Sequence, residues 1–119
     1  MNAPRELSLT WTTPQPGVAS VHVAGDLDYD SADALTSAVD DRLRTADLRE
    51  LRVDCSDLAY CDSYGLSSLL MVRRRTASAG VPMHLDNRGP GLERLLRVTK
   101  TLDHLTGGTA GVREEQFDS

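Results

Sequence analysis

The chain has 119 residues, 39% of them hydrophobic and 26% charged, with a formal net charge of −5 and a pI of about 5.0. That is the size and make-up of one soluble globular domain. The acidic balance excludes a nucleic-acid-binding face, which would need clustered cations. One Phe, one Trp and three Tyr leave Leu, Val and Ala to fill the core. Two cysteines, Cys55 and Cys61, are too few for a disulfide framework and read as reduced thiols of a cytoplasmic protein. The first residues lack a charged-then-apolar leader, and no run approaches the ~20 apolar residues of a membrane span.

In chain order, Leu7, Leu9 and Trp11 alternate with polar residues and predict a strand. Thr12 to Gly17 holds two prolines and a glycine and predicts a loop of about six residues. Val18 to Ala24 predicts the second strand of a hairpin. Asp30 or Ser31 suits a helix start, and Leu35, Ala38, Val39 and Leu43 then recur at helical spacing, predicting a helix from Ala32 to Arg44. Leu51, Val53 and Cys55 alternate with charged residues in a strand from Leu48 to Leu58. Leu66, Leu69, Leu70 and Val72 define a second helix that opens near Ser63, carries Arg73, Arg74 and Arg75 toward its end, and stops at Gly80.

Val81, Met83 and Leu85 predict a further strand. Pro90 suits the first turn of a third helix carrying Leu92, Leu95, Leu96 and Val98. Leu102 to Leu105 fits either a short last strand or a helix end. From Gly107 the composition is Gly-rich and polar, so residues 5–106 read as one domain and 107–119 as a flexible tail. Strands alternating with helices imply an α/β fold with a mostly parallel central sheet. The polar alternation within the strands implies that helices cover mainly one face.

The chemistry turns on Asp62-Ser63-Tyr64-Gly65, between the third strand and the second helix. A hydrolase elbow would need glycine two residues before the serine, where Cys61 stands. Cys55 and Cys61 have no second pair or matching histidines for a metal site. Gly89 and Gly91 lack the third glycine of a dinucleotide fingerprint, since that position holds Arg94. His84 falls on a strand, out of phase with the apolar residues, and reads as a sheet-surface residue. No catalytic residue, cofactor or metal is therefore expected. Three features single out Ser63: Asp62 already supplies a cap, Gly65 carries a helix penalty of about 1 kcal/mol, and Asp26, Asp28 and Asp30 gather in a loop expected nearby.

The segment Cys61-Asp62-Ser63-Tyr64-Gly65-Leu66 resembles the Asp-Ser-Ser/Thr-Gly-Leu signature of the STAS domain family. Gly25-Asp26-Leu27-Asp28 resembles the family's earlier Gly-x-Leu-Asp block, and the segment from Gly89 to Leu105 its third helix and following strand. The resemblance spans about Leu7 to Leu105. It implies a STAS-like fold, with an antiparallel N-terminal hairpin strand on a mostly parallel sheet, and the function of an anti-sigma factor antagonist. The serine after the motif aspartate, here Ser63, would then be phosphorylated by a partner anti-sigma factor with serine kinase activity, and a phosphatase would reverse the step. Asp26, Asp28, Asp62, Ser63, Tyr64 and Gly65 would form the partner-binding surface. Tyr64 departs from the family, which usually has Ser or Thr there. Two other readings are a STAS scaffold that is not phosphorylated, with Tyr64 as contact residue, and a small-ligand sensor built on the same loops. Neither nucleic acid nor membrane is an expected partner.

Overall fold

The computed structural model describes residues 5–45, 47–101 and 105. Its elements in chain order are β1 (Ser8–Gln15), β2 (Val18–Leu27), α1 (Ala32–Thr45), β3 (Glu50–Cys61), α2 (Ser63–Ser78), β4 (Met83–Asp86) and α3 (Pro90–Val98). The four strands form one sheet in the order β1-β2-β3-β4. β1 lies antiparallel to β2, and β2, β3 and β4 run parallel. This is the expected α/β architecture, a parallel sheet with an antiparallel hairpin strand at one edge.

The sheet has one dry face and one wet face. Ala19, Val21, Val23 and Leu27 of β2 are buried, whereas Ser20, His22 and Asp26 between them are half-buried. Register carries the pattern across the sheet. Val21 pairs with Val53, and Val53 with Leu85, while His22 pairs with Asp54, and Asp54 with Asp86. Leu35 and Val39 of α1 and Leu66, Leu69 and Val72 of α2 close the apolar face, and Leu92 and Leu96 of α3 join the same core. Arg75 of α2 forms an ion pair with Asp40 of α1. The guanidinium of Arg42 lies 4.4 Å from the Trp11 ring centre, joining α1 to the hairpin edge.

Three boundaries differ from expectation. The loop between β1 and β2 is two residues, not six, because β1 continues to Gln15, which pairs with Val18. Gly17, at φ +80°, supplies the left-handed position that such a tight turn needs. Pro14 is tolerated because β1 is an edge strand and its register shifts between Thr12 and Gln15. β2 continues past Ala24 to Leu27, and β3 runs from Glu50 to Cys61, with register shifts between His22 and Ala24 and between Gly25 and Asp26. The second shift places the extra residue, Ala59, on β3 beside Gly25, which lies at φ +95° and where a side chain would meet the Glu6 carbonyl oxygen at 2.3 Å. Gly80, at φ +73°, follows the C-cap Ala79 and ends α2 as expected. Val98, placed with the apolar residues of α3 by its sequence, is 69% exposed.

Leu105 is buried, and its N–H bonds the Thr101 carbonyl at 3.1 Å, a helical bond and not a strand one. Residues 102–104, the end of the domain near 106 and the tail 107–119 lie outside the described residues.

Candidate functional site at the start of the second helix

The site is built where two parallel strands end side by side. Asp26 pairs with Tyr60 and Leu27 with Cys61, so the loop after β2 and the turn after β3 leave the sheet together. The Asp62 N–H reaches the Leu27 carbonyl at 3.3 Å, which ties the two exits. Asp62 is extended (φ −102°, ψ −169°) and is the N-cap of α2, its Oδ1 accepting the Gly65 N–H at 2.9 Å. A carboxylate here satisfies a free amide and meets the positive end of the helix dipole.

Ser63 is the first residue of α2 and is exposed. Among the described residues its hydroxyl makes no hydrogen bond. Asp62 does the capping, so Ser63 Oγ is free for chemistry at a helix N-terminus, a place that accommodates anions. Tyr64 is 54% exposed. Gly65 is buried, and a Cβ on it would lie 2.1 Å from the Leu27 carbonyl oxygen and 2.9 Å from Cys61 Sγ. The close backbone approach that glycine permits is therefore made by the chain's own β2.

Asp26 and Asp28 are both committed to local structure. Asp26 Oδ2 accepts the Arg5 N–H at 3.0 Å, and the Asp26 N–H bonds the Arg5 carbonyl at 3.0 Å. Asp28 Oδ1 accepts the Asp30 N–H at 3.1 Å and the Ser31 hydroxyl at 3.2 Å. The start of α1 is arranged differently from expectation. The Ser31 hydroxyl turns back to donate to the Asp26 carbonyl at 2.8 Å and to accept the Asp28 N–H at 3.0 Å. The N–H groups of Ser31 and Ala32 go to the Asp28 carbonyl instead. Asp26, Asp28 and Asp30 thus share a groove with Arg5 and Ser31. Tyr64 lines a different groove, between α1 and α2.

Tyr29 is the residue the sequence reading missed. It follows Asp28, is 71% exposed, and packs edge to face on Tyr64 with ring centres 4.9 Å apart at 71°. Both rings border a groove of about 320 Å³ between α1 and α2, together with Asp33, Ser67, Met71 and Arg75. The available signal was a lone aromatic in a loop otherwise made of Asp and Ser.

The other groups considered for chemistry lie elsewhere. Cys55 and Cys61 are free thiols, each pushed up to about 12 by burial, so both are neutral near pH 7. His22 and His84 sit on the open sheet face. His22 bonds Asp54 at 3.0 Å and Asp57 at 2.8 Å, and His84 lies 3.3 Å from Glu50. Among the described residues no group of three His, Cys, Asp or Glu side chains could hold a metal ion, and no helix is long and apolar enough to cross a membrane.

The family model described as Mlab, STAS domain matches residues 11–107. The chain belongs to the STAS domain family. Among solved structures, this STAS domain is similar to an anti-sigma factor antagonist from Mycobacterium paratuberculosis, with 25% identity, 89% of this chain and 87% of that one covered, and a TM-score of 0.70. It shares its fold with the anti-sigma factor antagonist SpoIIAA in its unphosphorylated form (13% identity, 79% and 82% covered, TM-score 0.69). It shares it also with the Bacillus cell fate determinant SpoIIAA in the phosphorylated form (11% identity, 91% and 98% covered, TM-score 0.66). No curated protein matches the chain in sequence.

Proposed function

We propose that this STAS domain is an anti-sigma factor antagonist switched by phosphorylation of Ser63. The observation that carries the reading is the exposed Ser63 hydroxyl at the N-terminus of α2, unbonded among the described residues, with the cap supplied by Asp62. The unphosphorylated form binds an anti-sigma factor with serine kinase activity and so frees a sigma factor, and a phosphatase resets the cycle. The partner meets Asp62, Ser63 and Tyr64 directly. Asp26 and Asp28 border that surface, and Gly65 seats it against β2. The fold tolerates the modification, because the helix end and the first-turn amides favour an anion. What changes is the charge a partner meets. A phosphoserine adds about −1.5 to −2 charges next to Asp62. Like charges forced together in an interface cost several kcal/mol, and ~1.4 kcal/mol is a factor of ten in affinity, so a micromolar complex would dissociate. The domain acts as a kinase substrate and binding module, not as an enzyme, and works in the cytoplasm.

One observation favours a second reading, a scaffold that is not phosphorylated. Tyr64 and Tyr29 form an exposed aromatic pair beside Ser63, the kind of group that anchors a protein interface whatever the state of the serine.

Intact mass of the protein purified from its native cells, before and after phosphatase treatment, with Ser63→Ala alongside, separates the two. One phosphate, absent from the variant, is the expected result. A single unmodified mass under all growth conditions, with partner binding intact, rejects the switch in favour of the scaffold.

A further inference from the structure

β3 is longer than the strand beside it. β4 pairs only with Leu51 to Asp54, and Asn87 at φ +57° then turns the chain out of the sheet toward α3. From Asp57 to Cys61, β3 pairs with β2 on one side, and among the described residues no strand borders its other edge. Among the described residues, N–H and C=O groups along that edge therefore lack a ladder partner.

The edge is one wall of a groove of about 610 Å³ whose opposite wall is α3. Leu58, Ala59, Tyr60 and Cys61 all line it. The register shift between Leu58 and Tyr60 interrupts the strand's alternation at Ala59, so consecutive residues of β3 border the one groove here. The lining is mostly apolar, with Leu95 and the 69%-exposed Val98 on the α3 side. Arg94 lines it too, and among the described residues its guanidinium makes no ion pair.

We infer that this groove is a docking site for an extended segment of another protein, which adds to the sheet as a strand along β3. The free edge supplies main-chain hydrogen bonds, Leu58, Leu95 and Val98 accept apolar side chains on the inner face, and Arg94 selects a segment with an acidic residue. Such a strand would lie beside β3 beyond the point where its pairing with β4 ends. The site is separate from the Ser63 surface, although Cys61 lies two residues from that serine, and the inference does not rest on the phosphorylation reading.

The test is a titration of the full ¹⁵N-labelled chain with an acetylated, amidated peptide of sequence Thr-Val-Glu-Val-Thr-Val, followed by amide shifts and hydrogen exchange. Shifts and exchange protection centred on residues 58–61 are the expected result. Arg94→Glu should weaken binding at least tenfold, and a peptide with Lys in place of Glu should restore it. Arg94 is an exposed helix position, so folding is not at stake. Shifts centred on Tyr29 and Tyr64, or none at millimolar peptide, overturn the inference. So does an edge already protected in the free protein: protection that grows with protein concentration would assign it to a second copy, and protection independent of concentration to this chain itself.

Discussion

Gly65 has less freedom than any other residue of the site. In a helix, alanine is favoured over glycine by about 1 kcal/mol, so Gly65→Ala would stabilise α2 if nothing stood in the way. A Cβ would lie 2.1 Å from the Leu27 carbonyl oxygen, an atom of the sheet backbone that cannot rotate aside. The overlap outweighs the propensity, and the variant should lose about 2 kcal/mol or more in chemical denaturation. Unchanged stability would show that α2 shifts without cost. The neighbouring thiol gives a second check. With Cys55 and Cys61 both at about 12, alkylation by iodoacetamide at pH 8 should be on the order of a thousandfold slower in the native protein than in denaturant. Rapid native labelling of either cysteine would mean that the junction of β3 and α2 opens readily.

At the level of elements, the start of α2 depends on Asp62. Asp62→Ala removes the acceptor of the Gly65 N–H and should cost about 1 kcal/mol, whereas Asp62→Asn keeps an acceptor and should cost a few tenths. Equal losses in the two variants would point to the charge and not the cap. This cap was legible in the sequence because capping is local chemistry: an aspartate, three residues before a glycine, at the head of an apolar helical pattern. The alternation of Val21, Val53 and Leu85 was legible for the same reason, since period two belongs to each strand alone. The extents of β1, β2 and β3 were not. They depend on register shifts along β3, between Asp54 and Asp57 and at Ala59, and near Pro14 of β1, and a shift is a property of two strands together. The Tyr29–Tyr64 pair was hidden likewise, because its rings meet only after Leu27 and Asp62 bring the two loops together.

For the whole molecule, the wet face of the sheet sets the pH response. His22 of β2 lies between Asp54 and Asp57 of β3, and the hydrogen bonds to Asp54 and then Asp57 raise its pKa above the ordinary 6.5. Asp54 is lowered below its ordinary 3.8, first by the hydrogen bond from Asn87 and then by that from His22. The same face carries Arg52 between Glu50 and Asp86, and His84 beside Glu50. A raised histidine stabilises the fold fully below its unfolded pKa, and the contribution fades as pH climbs through the folded value. A lowered aspartate stabilises above its unfolded pKa, and the contribution fades as pH falls through the folded value. Both are in place between roughly pH 4 and pH 6.5, so the maximum of stability belongs there. Above it, loss of the His22 proton leaves Asp54 and Asp57 facing each other in a chain already at −5. Stability by urea denaturation should therefore decline from about pH 6 toward pH 8.5 in the native sequence and vary much less in His22→Gln. The same decline in both proteins would place the responsible proton elsewhere than on His22.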